Sequence, residues 1–164
     1  MITKYNILYL HGLEGWLSEE KRTIIEQFGN CFAPTIDYRK PKIFNELHDL
    51  FLDKNIDIII GSSMGGYCGY LLSLCYDRRA LIFNPAFPYR SVDPDITGVE
   101  IPQKKQSTTT IVLGKKDNLI KYKDNFAYIK NNFAKNEYEL IEIDSLEHRI
   151  PNDIFQECVS DFFK

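Results

Sequence analysis

Ile56–Cys75 reads IDIIIGSSMGGYCGYLLSLC. Its first five residues, Ile56–Ile60, are almost wholly apolar and β-branched, the composition of a strand buried on both faces of a parallel sheet. Gly61-Ser62-Ser63-Met64-Gly65 follows, and an apolar helical run begins without a break. G-x-S-x-G between a strand and a helix marks a sharp turn that lifts a serine hydroxyl above the sheet. Ser63 has glycine at minus two and plus two, whereas Ser62 would need glycine where Ile60 and Met64 stand, so the frame selects Ser63. The glycines have a mechanical reason, since side chains at those positions would collide with neighbouring backbone. A serine that only caps a helix shows the same local pattern, so the rest of the chain must decide.

The chain has 164 residues, enough for one domain with a real core. Hydrophobic content of 44% and charged content of 26% are ordinary for a globular protein, and a net charge of -3 argues against nucleic acid or an anionic membrane surface as partner. The longest apolar runs are strand-sized, far short of a membrane span. MITKYNILYL at the N-terminus lacks a signal-peptide profile. Cys31, Cys68, Cys75 and Cys158 have no metal-ligand spacing and read as reduced, so a cytoplasmic location is expected.

Tyr5–Leu10 reads as the first strand, running into the loop His11-Gly12-Leu13-Glu14-Gly15-Trp16. Ser18 stands as an N-cap before Glu19-Glu20, and a periodic run to Phe28 ends at Gly29. Cys31–Ile36 reads as the second strand and 43–52 as a helix carrying His48. Arg79–Phe83 supplies a fourth strand, broken by Asn84-Pro85-Ala86-Phe87-Pro88-Tyr89, and a polar segment runs on to Gln106. A loop of that length inside a compact domain is functional or disordered more often than not. Thr108–Leu113 is the fifth strand, 121–134 a helix, Tyr138–Ile143 a sixth strand with edge-like alternation, and 151–163 a last helix with proline at its start.

Strands alternate with helices, which predicts a three-layer α/β/α sandwich around a six-stranded, mainly parallel sheet. The expected order, 2-1-3-4-5-6, reverses between strands one and three, and ligands of such sheets sit beyond the carboxyl ends of the strands at that reversal. Those two strands end at His11-Gly12 and at Ser63.

A serine hydroxyl is a poor nucleophile unless a base takes its proton and an acid orients that base. The chain has three histidines. His48 falls mid-helix, and His11 precedes the serine and is expected to serve its loop structurally. His148 follows the sixth strand on the same sheet edge as Ser63. Asp117, after the fifth strand, meets the requirement for the acid, with a mere cap on the next helix as the lesser reading. Asp144 and Glu147 are the competitors, but both share the loop of His148. Ser63, Asp117 and His148 occur in the chain order of the α/β-hydrolases. Two backbone N–H groups should hold an oxyanion: Met64, at the start of its helix, and Leu13, after the first strand. Trp16, Tyr67, Phe87 and Tyr89 are candidates to line an acyl pocket, against the ordinary alternative that aromatics fill the core.

These residues carry a resemblance. Tyr9-Leu10-His11-Gly12, Ile60-Gly61-Ser62-Ser63-Met64-Gly65-Gly66, Asn84-Pro85-Ala86, the Asp117 loop ending in Tyr122, and His148 together resemble the α/β-hydrolase superfamily in a reduced form. More narrowly they are similar to the small bacterial YqiA-like esterases. The resemblance implies a single domain over 1–164 with a short lid-like insertion at about 84–107. It implies an esterase for short acyl chains with Ser63, Asp117 and His148 as triad. Thioester hydrolysis or acyl transfer would use the same triad, and a binding protein on a hydrolase scaffold is the alternative of another class. No metal or organic cofactor is expected. The partner expected is a small-molecule ester or thioester, with no nucleic acid and no membrane.

Overall fold

The computed structural model describes residues 4–164. Met1–Thr3, the start of the N-terminal stretch considered above, lie outside the described residues. The elements run β1 (Tyr5–Leu10), α1 (Glu19–Glu26), β2 (Gly29–Phe32), α2 (Ile43–Asp53), β3 (Ile58–Ser62) and α3 (Met64–Tyr76). They continue with β4 (Arg79–Phe83), β5 (Thr109–Gly114), α4 (Tyr122–Asn132), β6 (Tyr138–Ile143) and α5 (Asn152–Phe162). The strands form one sheet in the order β2-β1-β3-β4-β5-β6, and each neighbouring pair is parallel. The reversal expected between β1 and β3 is present.

Period-two alternation divides the strand side chains between two cores. Leu8, Leu10, Ile59, Ala80, Ile82, Ile111 and Leu113 face α2, α3 and α4, where Phe44, Phe51, Leu72 and Ile129 cover them. Ile7, Tyr9, Ile58, Ile60, Leu81, Phe83 and Val112 face α1 and α5, where Ile25, Phe155 and Val159 cover them. The central strands are apolar on both sides because both faces are roofed by helices. β6, at the edge, is only partly buried, in keeping with its alternating sequence.

Three sequence expectations need correcting. β2 spans Gly29–Phe32, not Cys31–Ile36, and Gly29 lies inside the strand rather than closing the preceding helix. A Cβ on Gly29 would stand 2.0 Å from the Tyr5 carbonyl oxygen. This glycine therefore serves close strand pairing with β1, and α1 ends two residues earlier, at a Gln27 cap. β3 is displaced the other way, toward the C-terminus of the expected Ile56–Ile60 run. It begins at Ile58 and carries pairing through Ser62, opposite Phe83.

The segment between β4 and β5 has no helix or strand but is tacked to the body. Asp95 Oδ2 accepts from Lys42 N–H at 2.8 Å, just before α2, and its Oδ1 accepts from Thr97 N–H at 2.9 Å. Hydrogen bonding from the Thr97 side chain, and after it from these two backbone N–H groups, holds the Asp95 carboxyl down at about 2. Asp77 Oδ1 accepts from Gln106 and Ser107 N–H. Val92, Val99 and Ile101 pack on the core of the α2–α4 face. Among the described residues, no helix is long and apolar enough to cross a membrane.

Candidate active site

The turn between β3 and α3 holds Ser63 at φ 54°, ψ -115°, a conformation that a residue with a Cβ adopts only under constraint. Three backbone hydrogen bonds supply that constraint. Ser63 N–H donates to the Phe83 carbonyl at 2.9 Å, and the Ser63 carbonyl accepts from Tyr67 and Ala86 N–H. The flanking glycines are sterically required. A Cβ on Gly61 would lie 2.3 Å from the Gly65 carbonyl oxygen, and one on Gly65 would lie 2.0 Å from that of Leu10. Sequence and geometry agree on the mechanical reason for G-x-S-x-G.

The loop after β1 runs beside this serine. A Cβ built on Gly12 would meet the Ser63 Cβ at 3.4 Å. His11, only 4% exposed, organises the loop. Its Nε2 accepts from Ile36 N–H at 2.9 Å, so the ring proton sits on Nδ1 and donates to the Gly12 carbonyl at 2.5 Å. Gly15 N–H donates to the same carbonyl at 3.0 Å. In a trans peptide the carbonyl and the next N–H point in opposite directions. Holding the Gly12 oxygen against His11 therefore turns the Leu13 N–H the other way. Leu13 lines a cavity of about 240 Å³ together with Ser63, Met64, Tyr89, Leu119 and Ile120. Met64 is the first residue of α3, so its N–H is one of those a helix leaves without an internal partner.

Asp117 and His148 meet on the same edge. His148 Nδ1 lies 2.7 Å from Asp117 Oδ2. Asp117 is 4% exposed, and its other oxygen accepts from Leu119 N–H at 2.8 Å and Ile120 N–H at 3.0 Å. The carboxylate thus both caps the turn that follows β5 and faces the imidazole. It does not cap α4, whose N-cap position is Lys121, without a side-chain cap bond; one oxygen serves the turn and the other faces the imidazole. Asp144 and Glu147 do not take this place. Asp144 pairs with Lys115 at 2.8 Å on the surface. His148 lends its ring to Asp117, and the hydrogen bonds of the described residues do not include one from Ser63 Oγ to that ring.

The loop bearing His148 is mounted from below by Asn84 and Gly114. Asn84 Nδ2 donates to the carbonyls of Glu147 and His148, and its Oδ1 accepts from Gly114 N–H. A Cβ on Gly114 would stand 2.4 Å from the Leu146 carbonyl oxygen, so the loop crosses directly over the end of β5. Sequence reasoning noticed the Asn84-Pro85-Ala86 break without finding this function. The bonds join residues thirty to sixty-four positions apart, and no local signal reports them.

The four aromatic pocket candidates separate cleanly. Tyr89 lines the cavity, and its hydroxyl accepts from Lys121 N–H at 2.8 Å. Phe87 turns into the core, stacked on Tyr128 and edge-on to Tyr70 and Phe133. Tyr67 lies under the Arg90 guanidinium, 3.9 Å from ring centre to charge. Trp16 is 78% exposed and is not among the lining residues. His48, as expected, is satisfied elsewhere, by the Tyr76 hydroxyl. The four cysteines are free. Among the described residues, no three His, Cys, Asp or Glu side chains gather as a metal site.

The family described as uncharacterised protein family UPF0227 matches residues 6–101. No curated protein matches the chain. Solved structures do. Est1E from Butyrivibrio proteoclasticus is 16% identical with a TM-score of 0.70, over 99% of this chain and 88% of that one. Alpha/beta hydrolase domain-containing protein 10 from mouse is 13% identical with a TM-score of 0.69, over 95% and 87%. FphF, a fluorophosphonate-binding serine hydrolase of Staphylococcus aureus solved with substrate bound, is 16% identical with a TM-score of 0.64, over 98% and 82%. At these identities the likeness is one of fold, and the fold of this chain is that of the α/β-hydrolases.

Proposed function

The chain belongs to the uncharacterised protein family UPF0227, and we propose that it is a serine hydrolase that cleaves carboxylic esters of short acyl chains. The observation that carries this reading is the pairing of buried Asp117 with the partly exposed His148, at 2.7 Å, on the sheet edge where Ser63 stands in its strained turn. A carboxylate held by two backbone N–H groups has one free oxygen, and it spends that oxygen on an imidazole. This is the arrangement a general base requires.

The mechanism follows from the atoms. His148 Nε2 takes the Ser63 proton as Oγ attacks the ester carbonyl carbon. The resulting oxyanion is held by the N–H groups of Leu13 and Met64, each worth about 3 kcal/mol to the transition state. Asp117 fixes the ring through Nδ1 and stabilises its charged form. His148 then gives the proton to the departing alkoxide, leaving an acyl group on Ser63. Water attacks that acyl carbonyl with His148 again as base, and the acid and free serine are released. The apolar cavity wall of Leu13, Met64, Leu119 and Ile120 receives the acyl chain. Its volume, about 240 Å³, falls below the range of drug-sized pockets and favours small groups.

The test is turnover of p-nitrophenyl esters from acetate to decanoate. Rates should be highest for the short chains. Asp117→Asn keeps an acceptor for Leu119 and Ile120 but presents the wrong partner to His148, so kcat should fall about 10³- to 10⁴-fold with the fold intact. Wild type no faster than buffer on every ester, or His148→Ala as fast as wild type, would refute the proposal.

A further inference from the structure

Arg90 is the one charged residue among those lining the cavity that holds Ser63. Its guanidinium is locked. Nε donates to Asp93 Oδ1 at 3.0 Å, and Nη1 donates to the carbonyls of Ala86 at 3.0 Å and Phe87 at 3.2 Å. Its face lies on the Tyr67 ring. Arginine carries five N–H donors, one on Nε and two on each terminal nitrogen. The three bonds occupy Nε and Nη1 in full. The Nη2 pair has no hydrogen-bond partner within the chain among the described residues.

Asp93 does not cancel the charge. Its side chain is 82% exposed, so water screens it, whereas that of Arg90 is 19% exposed. The field on α3 reports the balance. Burial pushes the Tyr67 hydroxyl up, Arg90 pulls it back down, and the opposing push of Asp93 is the weakest of the influences on it. Arg90 likewise pulls down the buried Cys68 thiol, one residue further along the helix. The cavity is therefore apolar over most of its wall, with the Leu13 and Met64 N–H groups proposed as oxyanion donors and a preorganised cation with a spare pair of donors. A plain alkyl acyl chain would leave that pair unmatched, while a terminal anion would make charge-assisted hydrogen bonds with it.

Resting on the hydrolase reading above, we propose that Arg90 selects esters whose acyl group carries a second, anionic end: a carboxylate or a phosphate a few bonds from the scissile carbonyl. The bland alternative is that Arg90 is only a strut, tying the segment after β4 together through the Ala86 and Phe87 carbonyls. The two readings differ in what removal of the charge does to discrimination, rather than to rate alone.

The experiment compares three methyl esters of similar length: methyl valerate, methyl hydrogen glutarate and methyl 4-phosphonobutanoate, with hydrolysis followed by NMR. At least one anionic ester should exceed valerate in kcat/KM by roughly tenfold or more, the scale of a charged hydrogen bond. The larger of the two anionic values identifies the anion. Arg90→Met should bring the anionic-to-neutral ratio to within about twofold of unity, and Arg90→Lys, which keeps the charge without the fork, should retain part of it. A wild-type preference for valerate, an anionic preference that survives Arg90→Met, or equal losses on all three esters in Arg90→Met would each overturn the proposal. If none of the esters turns over, the hydrolase reading fails separately and calorimetry decides this one. Saturable binding of methyl hydrogen glutarate to Ser63→Ala that is lost on adding Arg90→Met supports the anion site, and no binding overturns it.

Discussion

Asn84 carries the loop that presents His148: its side-chain nitrogen donates to the Glu147 carbonyl at 2.9 Å and to the His148 carbonyl at 3.1 Å. Its side-chain oxygen accepts from Gly114 N–H at 2.8 Å, and its own N–H donates to the Val112 carbonyl at 2.8 Å. One buried residue thus ties the ends of β4 and β5 to the loop after β6. Asn84 sits at φ 40°, in the left-handed region that asparagine tolerates better than most residues.

Asn84→Ala should therefore be costly in two ways. The buried Gly114 N–H loses its partner, worth about 1 to 3 kcal/mol of stability. The imidazole loses its mounting, and a displacement of the order of 1 Å at a catalytic group lowers rate about 10²-fold. Urea unfolding and ester turnover would measure the two losses separately. Asn84→Asp, which keeps the acceptor for Gly114 but not the donor, should lose rate more than an equal share of stability.

The glycines of the serine turn differ in what they must avoid. A Cβ at Gly65 meets the Leu10 carbonyl oxygen at 2.0 Å, backbone that cannot yield. A Cβ at Gly66 meets the Pro85 Cβ at 3.1 Å, a contact that a small shift relieves. Gly65→Ala is expected to cost more than about 4 kcal/mol or to prevent folding, and Gly66→Ala only a fraction of that. Chemical denaturation of the pair would show the contrast.

His11→Ala should act on the oxyanion rather than on the base. It removes the grip on the Gly12 carbonyl that aims the Leu13 N–H, and it leaves the Ile36 N–H unpaired. The predicted outcome is a fall in kcat of about 10- to 10²-fold, bounded above by loss of the donor itself. The pH dependence of the remaining rate should be unchanged, because His148 and Asp117 are untouched. A shifted pH profile would place His11 in proton transfer instead.

Stability should fall at alkaline pH. Burial pushes the Cys68 thiol up to about 12 and the Cys31 and Cys158 thiols to about 11, from an ordinary value of 9.0. In the unfolded chain these thiols ionise near pH 9, while the folded protein keeps their protons. From pH 9 to about 11 the unfolded state therefore binds fewer protons, and folding is disfavoured as pH rises. Lys105, pushed down to about 8 by burial, works in the opposite sense between about 8 and its ordinary 10.5. Three thiols outweigh one lysine. The Tm should drop between pH 9 and 11, and Cys68→Ala should shrink the drop.

The sheet was legible because its signal is local. Tyr5–Leu10, Arg79–Phe83 and Tyr138–Ile143 are strands with the bounds their apolar runs suggest. The strand order follows from alternation with helices and right-handed crossovers. What stayed hidden depends on partners distant in sequence. Gly29 looks like a helix stop until Tyr5 is seen beside it. Phe87 and Tyr89 are two residues apart and equally aromatic, yet one stacks in the core and the other lines the cavity. Asn84 and Arg90 read as loop polarity, since their hydrogen-bond partners are invisible in a linear string. The meeting of Asp117 with His148 was readable only through topology, because both follow strands that end on one edge.

The central claim, that Ser63 is a nucleophile activated by His148, is tested most directly by covalent labelling. The folded protein is treated with a fluorophosphonate and the adduct is mapped by peptide mass spectrometry. The account predicts one adduct, on Ser63, formed rapidly in wild type, absent in Ser63→Ala and slowed at least about 10²-fold in His148→Ala. A folded wild-type protein that stays unlabelled, or one that labels equally well in Ser63→Ala, would contradict it.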